Sequence, residues 1–274
     1  MRRRRFGNAV VVVTGAAGGL GRSLCLRFAR DGARIAALDR DDAALRCLAA
    51  ELQAVGCESL CIPCDVADEQ ACADAMRQVV EGFGGIDLLV NNAGIAHRSA
   101  FAATRCEVIR RVMAVNFFGA VHCTQAALGS LRASRGMVVA VSSVAGFSPL
   151  VARTGYAASK HALHGFFDSL RTELADDGVD VLLVCPSFIA TGIDRAALGG
   201  DGRPARHARA TTGAQASPGD VADAVFEAAS RRQRLLLFGA TAYLAWWISR
   251  LAPGLYAALM RRRLRGEWDA LPSH

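Results

Sequence analysis

The chain has 274 residues, 52% of them hydrophobic and 21% charged, with a formal net charge of +7. Length and apolar content exclude a disordered chain and a small scaffold held by disulfides or metal, because a core of this size needs neither. The charge excludes a nucleic-acid face on the body: Arg2–Arg5 with Arg261, Arg262, Arg263 and Arg265 outweigh the whole surplus, so the basicity lies at the two ends.

The start, Met1 then Arg2–Arg5, runs into a strand-like segment without the apolar stretch of an export signal. The nine cysteines are odd in number, so reduced, cytoplasmic thiols are expected. Cys61-Ile-Pro-Cys64 has redox or metal spacing, but no second pair or suitably spaced histidine accompanies it. Buried small apolar side chains are the expectation there, with no metal.

In chain order, Ala9–Thr14 (AVVVVT) reads as a fully buried first strand, and Leu20–Asp31 as a helix with Leu24 and Phe28 on one face. Arg34–Asp39 is a second strand, Asp42–Val55 a helix, Ser59–Pro63 a third strand, Glu69–Phe83 a helix and Ile86–Asn91 a fourth strand. Cys106–Leu131 reads as one long helix, Gly136–Ser142 as a fifth strand, Tyr156–Asp176 as a second long helix and Asp180–Cys185 as a sixth strand. Residues 191–218 lack a period and read as a mobile segment. Asp220–Ser230 is helical and Arg234–Phe238 a last strand. Such alternation predicts βα units around a parallel sheet, with no linker to split it.

After the first strand comes Thr14-Gly15-Ala16-Ala17-Gly18-Gly19-Leu20-Gly21, opening into a helix. A backbone that turns tightly and approaches a pyrophosphate needs residues without side chains, and the helix N-terminus offers free N–H groups. The spacing is Gly-x3-Gly-x-Gly, and such a turn alone is often only structural. Asp39 ends the second strand 18 residues after Gly21, where a carboxylate accepts hydrogen bonds from a ribose diol. It would repel a 2′-phosphate, so NAD is expected over NADP. Arg22 and Arg40 leave NADP open.

Tyr156-Ala-Ala-Ser-Lys160 puts a phenol and an ammonium one turn apart on a helix face. A phenol with a pKa near 10 is a poor proton shuttle at neutral pH, and a neighbouring cation draws that value down. Lys160 is the sole lysine among 32 basic residues, so the composition itself marks it.

From about Ala9 to Ala224 the sequence resembles the short-chain dehydrogenase/reductase family. Thr14–Gly21, Asp65-Val66, Asn91-Asn92-Ala93-Gly94, Asn116, Ser142-Ser143 and Tyr156–Lys160 carry the likeness, with Ser143 lying 13 residues before Tyr156. The resemblance implies a single-domain, Rossmann-like doubly wound α/β fold of about seven parallel strands with helices on both faces. Residues 1–240 would form it, with a substrate loop at about 190–218. It implies a catalytic set of Asn116, Ser143, Tyr156 and Lys160, with Tyr156 as general acid/base. Lys160 would lower the phenol's pKa and hold the nicotinamide ribose, Ser143 would bind the substrate oxygen, and Asn116 would support a water path to Lys160. Gly15, Ala17, Gly19, Leu20, Gly21, Asp39, Arg40, Asp65, Val66, Asn92, Ala93, Gly94, Tyr156, Lys160, Pro186, Ile189 and Thr191 would meet the cofactor. Where the family has Pro-Gly after the sixth strand, this chain has Pro186-Ser187, followed by Phe188.

The implied activity is interconversion of an alcohol and a ketone or aldehyde, with NAD favoured and NADP open. Phe147, Leu150, Val151 and Phe188 point to an apolar substrate pocket, with Ser143, Phe147 and Phe188 as substrate residues. Nothing polar there calls for a charged ligand; His97, just after Asn91–Gly94, either touches substrate or, the preferred reading, is a surface loop histidine. Residues 241–274 form a C-terminal extension: Tyr243 to Arg265 is apolar and aromatic with a basic end. This fits a lid, a subunit contact or a peripheral membrane helix. The two long helices resemble those through which the family pairs, so a homodimer or homotetramer is expected. Alternatives are a membrane-surface reductase of acyl-chain carbonyls and a non-catalytic dinucleotide-binding sensor.

Overall fold

A computed structural model describes residues 3–190, 192–194, 196–205 and 215–263. Thr191, Arg265 and the expected loop between 206 and 214 lie outside the described residues.

The chain builds β1 (Val10–Thr14), α1 (Gly19–Ala29), β2 (Arg34–Asp39), α2 (Asp42–Ala54), β3 (Ser59–Pro63), α3 (Glu69–Phe83) and β4 (Leu88–Asn91). There follow α4 (Cys106–Met113), α5 (Gly119–Ala133), β5 (Met137–Val141), α6 (Thr154–Glu173), β6 (Asp180–Pro186), α7 (Pro218–Ser230) and β7 (Leu235–Phe238). Two further helices, α8 (Ala240–Leu251) and α9 (Pro253–Arg263), close the described chain. The strands form one sheet in the order β3-β2-β1-β4-β5-β6-β7, each pair parallel.

The unbroken valine run of β1 is explained by helices on both faces of the sheet. Val11 and Val13 pack toward α1, α2 and α7, with Leu24, Phe28 and Leu48. Val10 and Val12 pack toward α3, α5 and α6, with Met76, Leu131 and Phe167. At the N-terminus, Phe6 meets Phe28 edge-on at 5.0 Å and Phe226 at 5.5 Å, which ties residues before β1 to the first core.

Most expected elements shift by only one or two residues at their ends. Two expectations need correction. Cys106 to Ala133 is not one regular helix, because residues Ala114–Phe118 form a π-helical turn between α4 and α5. The described part of the expected mobile segment is ordered by backbone pairing: Leu198 bridges to His97 and Pro204, and Ile189 to Ala216. The apolar run from Leu235 ends its strand at Phe238, where Gly239 adopts a φ of 92° and starts a new direction. Pro253 then breaks α8 from α9, since a proline cannot continue the helix before it. Cys61 is half-buried on β3 and Cys64 is buried, both as free thiols.

Candidate active site

The strand order reverses between β1 and β4, and in doubly wound sheets a crevice opens at the C-terminal ends of such strands. Side chains from the two strand ends hold it in shape. The Thr14 hydroxyl accepts from the N–H groups of Asn92 (3.1 Å) and Ala93 (3.0 Å). The Asn92 amide donates back to the carbonyls of Thr14 (2.9 Å) and Gly15 (3.1 Å).

Two glycines are obligatory in the turn. Gly15 has a φ of +62°, and a Cβ there would lie 2.8 Å from the Ala93 Cα. A Cβ on Gly21 would lie 2.0 Å from the Gly15 carbonyl oxygen. The N-cap of α1 is Gly18, which offers no side-chain cap, and the first turn holds no acidic residue. The N–H groups and positive dipole end of α1 are therefore open to an anion. Asp39 sits across the turn, its carboxylate accepting from Ala17 N–H at 3.0 Å and Asp41 N–H at 3.1 Å. Arg22 is held by the Glu51 carboxylate on α2, whereas Arg40 stays on the crevice wall.

One cavity of about 480 Å³ joins this crevice to the second motif. Gly15, Gly19, Leu20, Gly21, Asp39, Arg40, Asp65, Val66, Asn92, Ala93, Gly94, Ser143, Tyr156, Lys160, Pro186 and Ile189 all line it. Ala17 does not, its N–H being directed to Asp39.

Lys160 is buried, and its ammonium donates to the Val141 carbonyl at 2.9 Å. Burial pulls its pKa from 10.5 to about 8. Its Nζ lies 5.7 Å from the centre of the Tyr156 ring. A Cβ on Gly94 would lie 3.6 Å from that Nζ and 3.3 Å from Asn116 Oδ1, so the glycine lets backbone pass close to both groups. Asn116 lies inside the π turn, buried, behind the cavity wall. Its Oδ1 accepts from Ile95 N–H (2.8 Å), and its Nδ2 donates to the Ile95 carbonyl and the Ser159 hydroxyl, both at 3.0 Å. A widened turn re-aims side chains relative to a regular helix, and such turns are frequent at functional sites. Ser143 follows β5 in an extended conformation, its hydroxyl accepting from Ala145 N–H at 3.2 Å.

Behind Lys160 runs a polar chain without a counterpart in the sequence reading. Ser142 donates to the Lys160 carbonyl at 3.3 Å and lies 3.1 Å from His164 Nε2. The Cys185 thiol lies 3.5 Å from the same nitrogen. Burial pushes the His164 pKa down to about 4 and the Cys185 thiol up to about 12.

The substrate end differs from its expectation. Leu150 and Phe188 line the cavity, but Phe147 and Val151 do not. Phe147 is turned away against Trp246, ring centres 4.8 Å apart. His97, Arg98 and Arg153 line the cavity and are all buried. His97 is thus no surface histidine. Its Nε2 lies 3.3 Å from the Thr104 hydroxyl, while its buried Nδ1 has no hydrogen-bond partner among the described residues. Burial, then the charge of Arg153, pushes its pKa down to about 4. The cue available in the sequence was the pair His97-Arg98 close behind Asn91–Gly94. The opposite wall comes from α8 and α9 through Leu244, Ala245, Ile248, Tyr256, Leu259 and Met260.

A glycine turn under a parallel sheet, a buried lysine and a tyrosine one turn before it define an oxidoreductase of the short-chain dehydrogenase type. The family model for short chain dehydrogenases matches residues 9–199, and the chain belongs to that family. It is 39% identical to dehydrogenase/reductase SDR family member 7B of Bos taurus over 268 residues, 95% of this chain and 82% of that protein. It is 34% identical to dehydrogenase/reductase SDR family protein 7-like of Anopheles gambiae, over 95% and 84% of the two chains. Among solved structures, a short chain dehydrogenase/reductase from Burkholderia phymatum in complex with NAD matches with a TM-score of 0.83 at 26% identity, over 92% of this chain and 96% of that one. A putative short-chain alcohol dehydrogenase from Sinorhizobium meliloti 1021 matches with a TM-score of 0.66 at 30% identity, over 69% and 77%.

The buried histidine has a measurable consequence. Unfolded His97 binds its proton near pH 6.5 and folded His97 near 4, so the unfolded state holds more protons between these values. Its contribution to stability is complete above pH 6.5 and declines as pH falls toward 4. His97→Asn should flatten part of that decline in urea denaturation midpoints recorded from pH 7 to pH 4.5 (about the span of the titration). An unchanged slope would refute the assignment.

Proposed function

We propose that the chain interconverts a lipophilic alcohol and its ketone or aldehyde, with Tyr156 as proton donor and acceptor and NAD as the preferred cofactor. The observation that carries this is the position of the sole lysine: Lys160 is buried beside Tyr156 on the wall of the cavity that also holds Ser143 and the glycine turn.

The residues present fit a dinucleotide. The turn has no room for a Cβ at Gly21, the start of α1 is uncapped, and Asp39 stands where a ribose diol would be met. When bound, the nicotinamide supplies the hydride. The protein's own work is orientation and proton transfer. In the reducing direction the Tyr156 phenol gives its proton to the carbonyl oxygen while the Ser143 hydroxyl donates to the same oxygen. The Lys160 ammonium favours the phenolate that remains and binds the ribose. Asn116, fixed between Ile95 and Ser159, supports the water path by which the proton is replaced. Pro186 and Ile189, which line the cavity, complete the cofactor side.

The cavity is lined both by apolar residues of α8 and α9 and by His97, Arg98 and Arg153. This favours an apolar body with an acceptor-rich, oxygen-bearing end. Mutating Tyr156→Phe should lower kcat by about 10²–10⁴-fold and leave NADH affinity unchanged, read by turnover of a panel of lipophilic ketones and by NADH fluorescence titration. NADH binding with turnover of no panel member would move the reading toward a dinucleotide-binding sensor.

For the cofactor, Asp39 disfavours a 2′-phosphate, and Arg22 is engaged by Glu51. NADH should bind roughly tenfold or more tighter than NADPH, and Asp39→Ala should close the gap. A preference for NADPH in the parent protein would mean that Arg40 dominates.

Pairing into a homodimer or homotetramer is proposed through the helical stretch from Cys106 to Ala133, with its π turn, and α6. Phe117 contacts Phe118 at 5.1 Å and Phe166 of α6 at 5.8 Å, a strip that leaves Phe118 exposed. Sedimentation velocity should return an oligomer, and a monomer at micromolar concentration would overturn the proposal.

A further inference from the structure

Among the described residues, ten large hydrophobic side chains are exposed, and Tyr243, Leu244, Trp247, Leu251, Leu255 and Leu259 of α8 and α9 are six of them. Their exposure runs from 37% to 76%. The spacing makes a stripe: Tyr243, Leu244, Trp247 and Leu251 recur at helical intervals on α8, while Ala242 and Ala245 turn inward. Leu255 and Leu259 repeat the pattern on α9. Exposed apolar side chains are ordinary when scattered, but a contiguous group of this kind marks a contact surface.

The charge around the stripe is one-sided. From Gly239 to Arg263 the sequence has no aspartate or glutamate, and it carries Arg250, Arg261, Arg262 and Arg263. Arg250, Arg261 and Arg262 are exposed. Arg250 lies over the Trp246 ring, 3.6 Å from its centre, so its charge is held at the edge of the aromatic cluster. Apart from its two arginine-rich ends the chain is near neutral, so one of its two concentrations of positive charge flanks this apolar stripe.

The stripe is also continuous with the site. Leu244 and Leu259 are exposed and at the same time line the cavity, beside the inward-facing Ala245, Ile248 and Tyr256. The helical stretch Cys106–Ala133, the one among the described residues long and apolar enough to cross a membrane, is broken by its π turn and has Val108, Val112, Cys123 and Leu131 buried in the fold.

We propose that the outer face of α8 and α9 is a docking surface for an anionic lipid bilayer, and that it holds the mouth of the cavity against the membrane. An apolar, aromatic helix pair with a basic end lies in the interfacial plane, its leucines and tryptophan among the acyl chains and its arginines at the headgroups. A lipophilic molecule dissolved in the bilayer would then reach the cavity along Leu244 and Leu259 without crossing water. The docking itself does not rest on the catalytic reading, because it is read without turnover.

The test uses the full chain with sucrose-loaded vesicles of phosphatidylcholine alone, and of phosphatidylcholine with phosphatidylglycerol. The expected result is co-sedimentation about tenfold or more stronger on the anionic vesicles, weakened by added salt. Trp247→Glu with Leu251→Glu should abolish it. Both residues are exposed and neither lines the cavity, so NADH binding should be kept, which separates loss of docking from loss of folding or of the cofactor site. Arg261→Gln with Arg262→Gln should reduce the preference for anionic vesicles and leave residual binding. Absence of vesicle binding by the parent protein overturns the proposal, as does binding that the glutamate variant retains. A fall in oligomer size in the glutamate variant overturns it too, since a second copy of the chain would then be what covers the stripe.

Discussion

An ammonium group enclosed by protein is the constraint around which this structure is arranged. Taking such a charge out of water costs several kcal/mol even after relaxation, and the fall in the Lys160 pKa from 10.5 to about 8 corresponds to roughly 3 kcal/mol of lost preference for the charged form. The Val141 carbonyl meets it directly, and the neighbouring polar groups are each held by the backbone around it. Ser142 fixes the Lys160 carbonyl, and Ser159 links the same helix to Asn116. Gly94 keeps the β4 turn close without a side chain in the way. At neutral pH the group is still mostly protonated.

The sheet supplies the rigidity this requires. Lys160 and Tyr156 are placed by α6, Ser143 by the end of β5, and the glycine turn by the end of β1, with β4 between β1 and β5. All three ends emerge on the same side because the strands are parallel. The Thr14 and Asn92 hydrogen bonds then fasten β1 to β4 where the order reverses. The C-terminal helices stand apart from this frame. They form a wall of the cavity and at the same time present leucines and tryptophan outward, so one piece of chain serves two surfaces.

Much of this was legible in the residues. The buried strand AVVVVT, the glycine turn, Asp39 and the Tyr156–Lys160 pair carry their positions in local pattern and spacing, and the seven-strand parallel sheet follows from the alternation. The π turn was not legible, because Ala114–Phe118 contains no proline or glycine to interrupt a helical period. The polar end of the cavity was missed for a different reason: the His97-Arg98 pair and Arg153 belong to two segments far apart in sequence that only the tertiary fold brings together. Phe147 was misplaced because apolarity does not distinguish a pocket wall from the packing behind it, where Trp246 waits. Arg22 looked available for a phosphate until the neighbouring α2 brought Glu51 to it.

The π turn also sets a rule for how this chain tolerates change in length. Each residue advances a regular helix by about 100°, so α4 and α5 keep a fixed phase only because the turn absorbs the mismatch between them. Deleting one residue there would let the turn close as regular helix and keep the inward row of α5, Ala120, Cys123, Ala127 and Leu131, on the sheet. It would carry Asn116 away from Ile95 and Ser159. Surface loops accept insertions because nothing downstream is keyed to them. Here a single-codon loss would spare the helix and be read by Asn116 alone, which makes the segment a counting device between the core and the polar groups around Lys160.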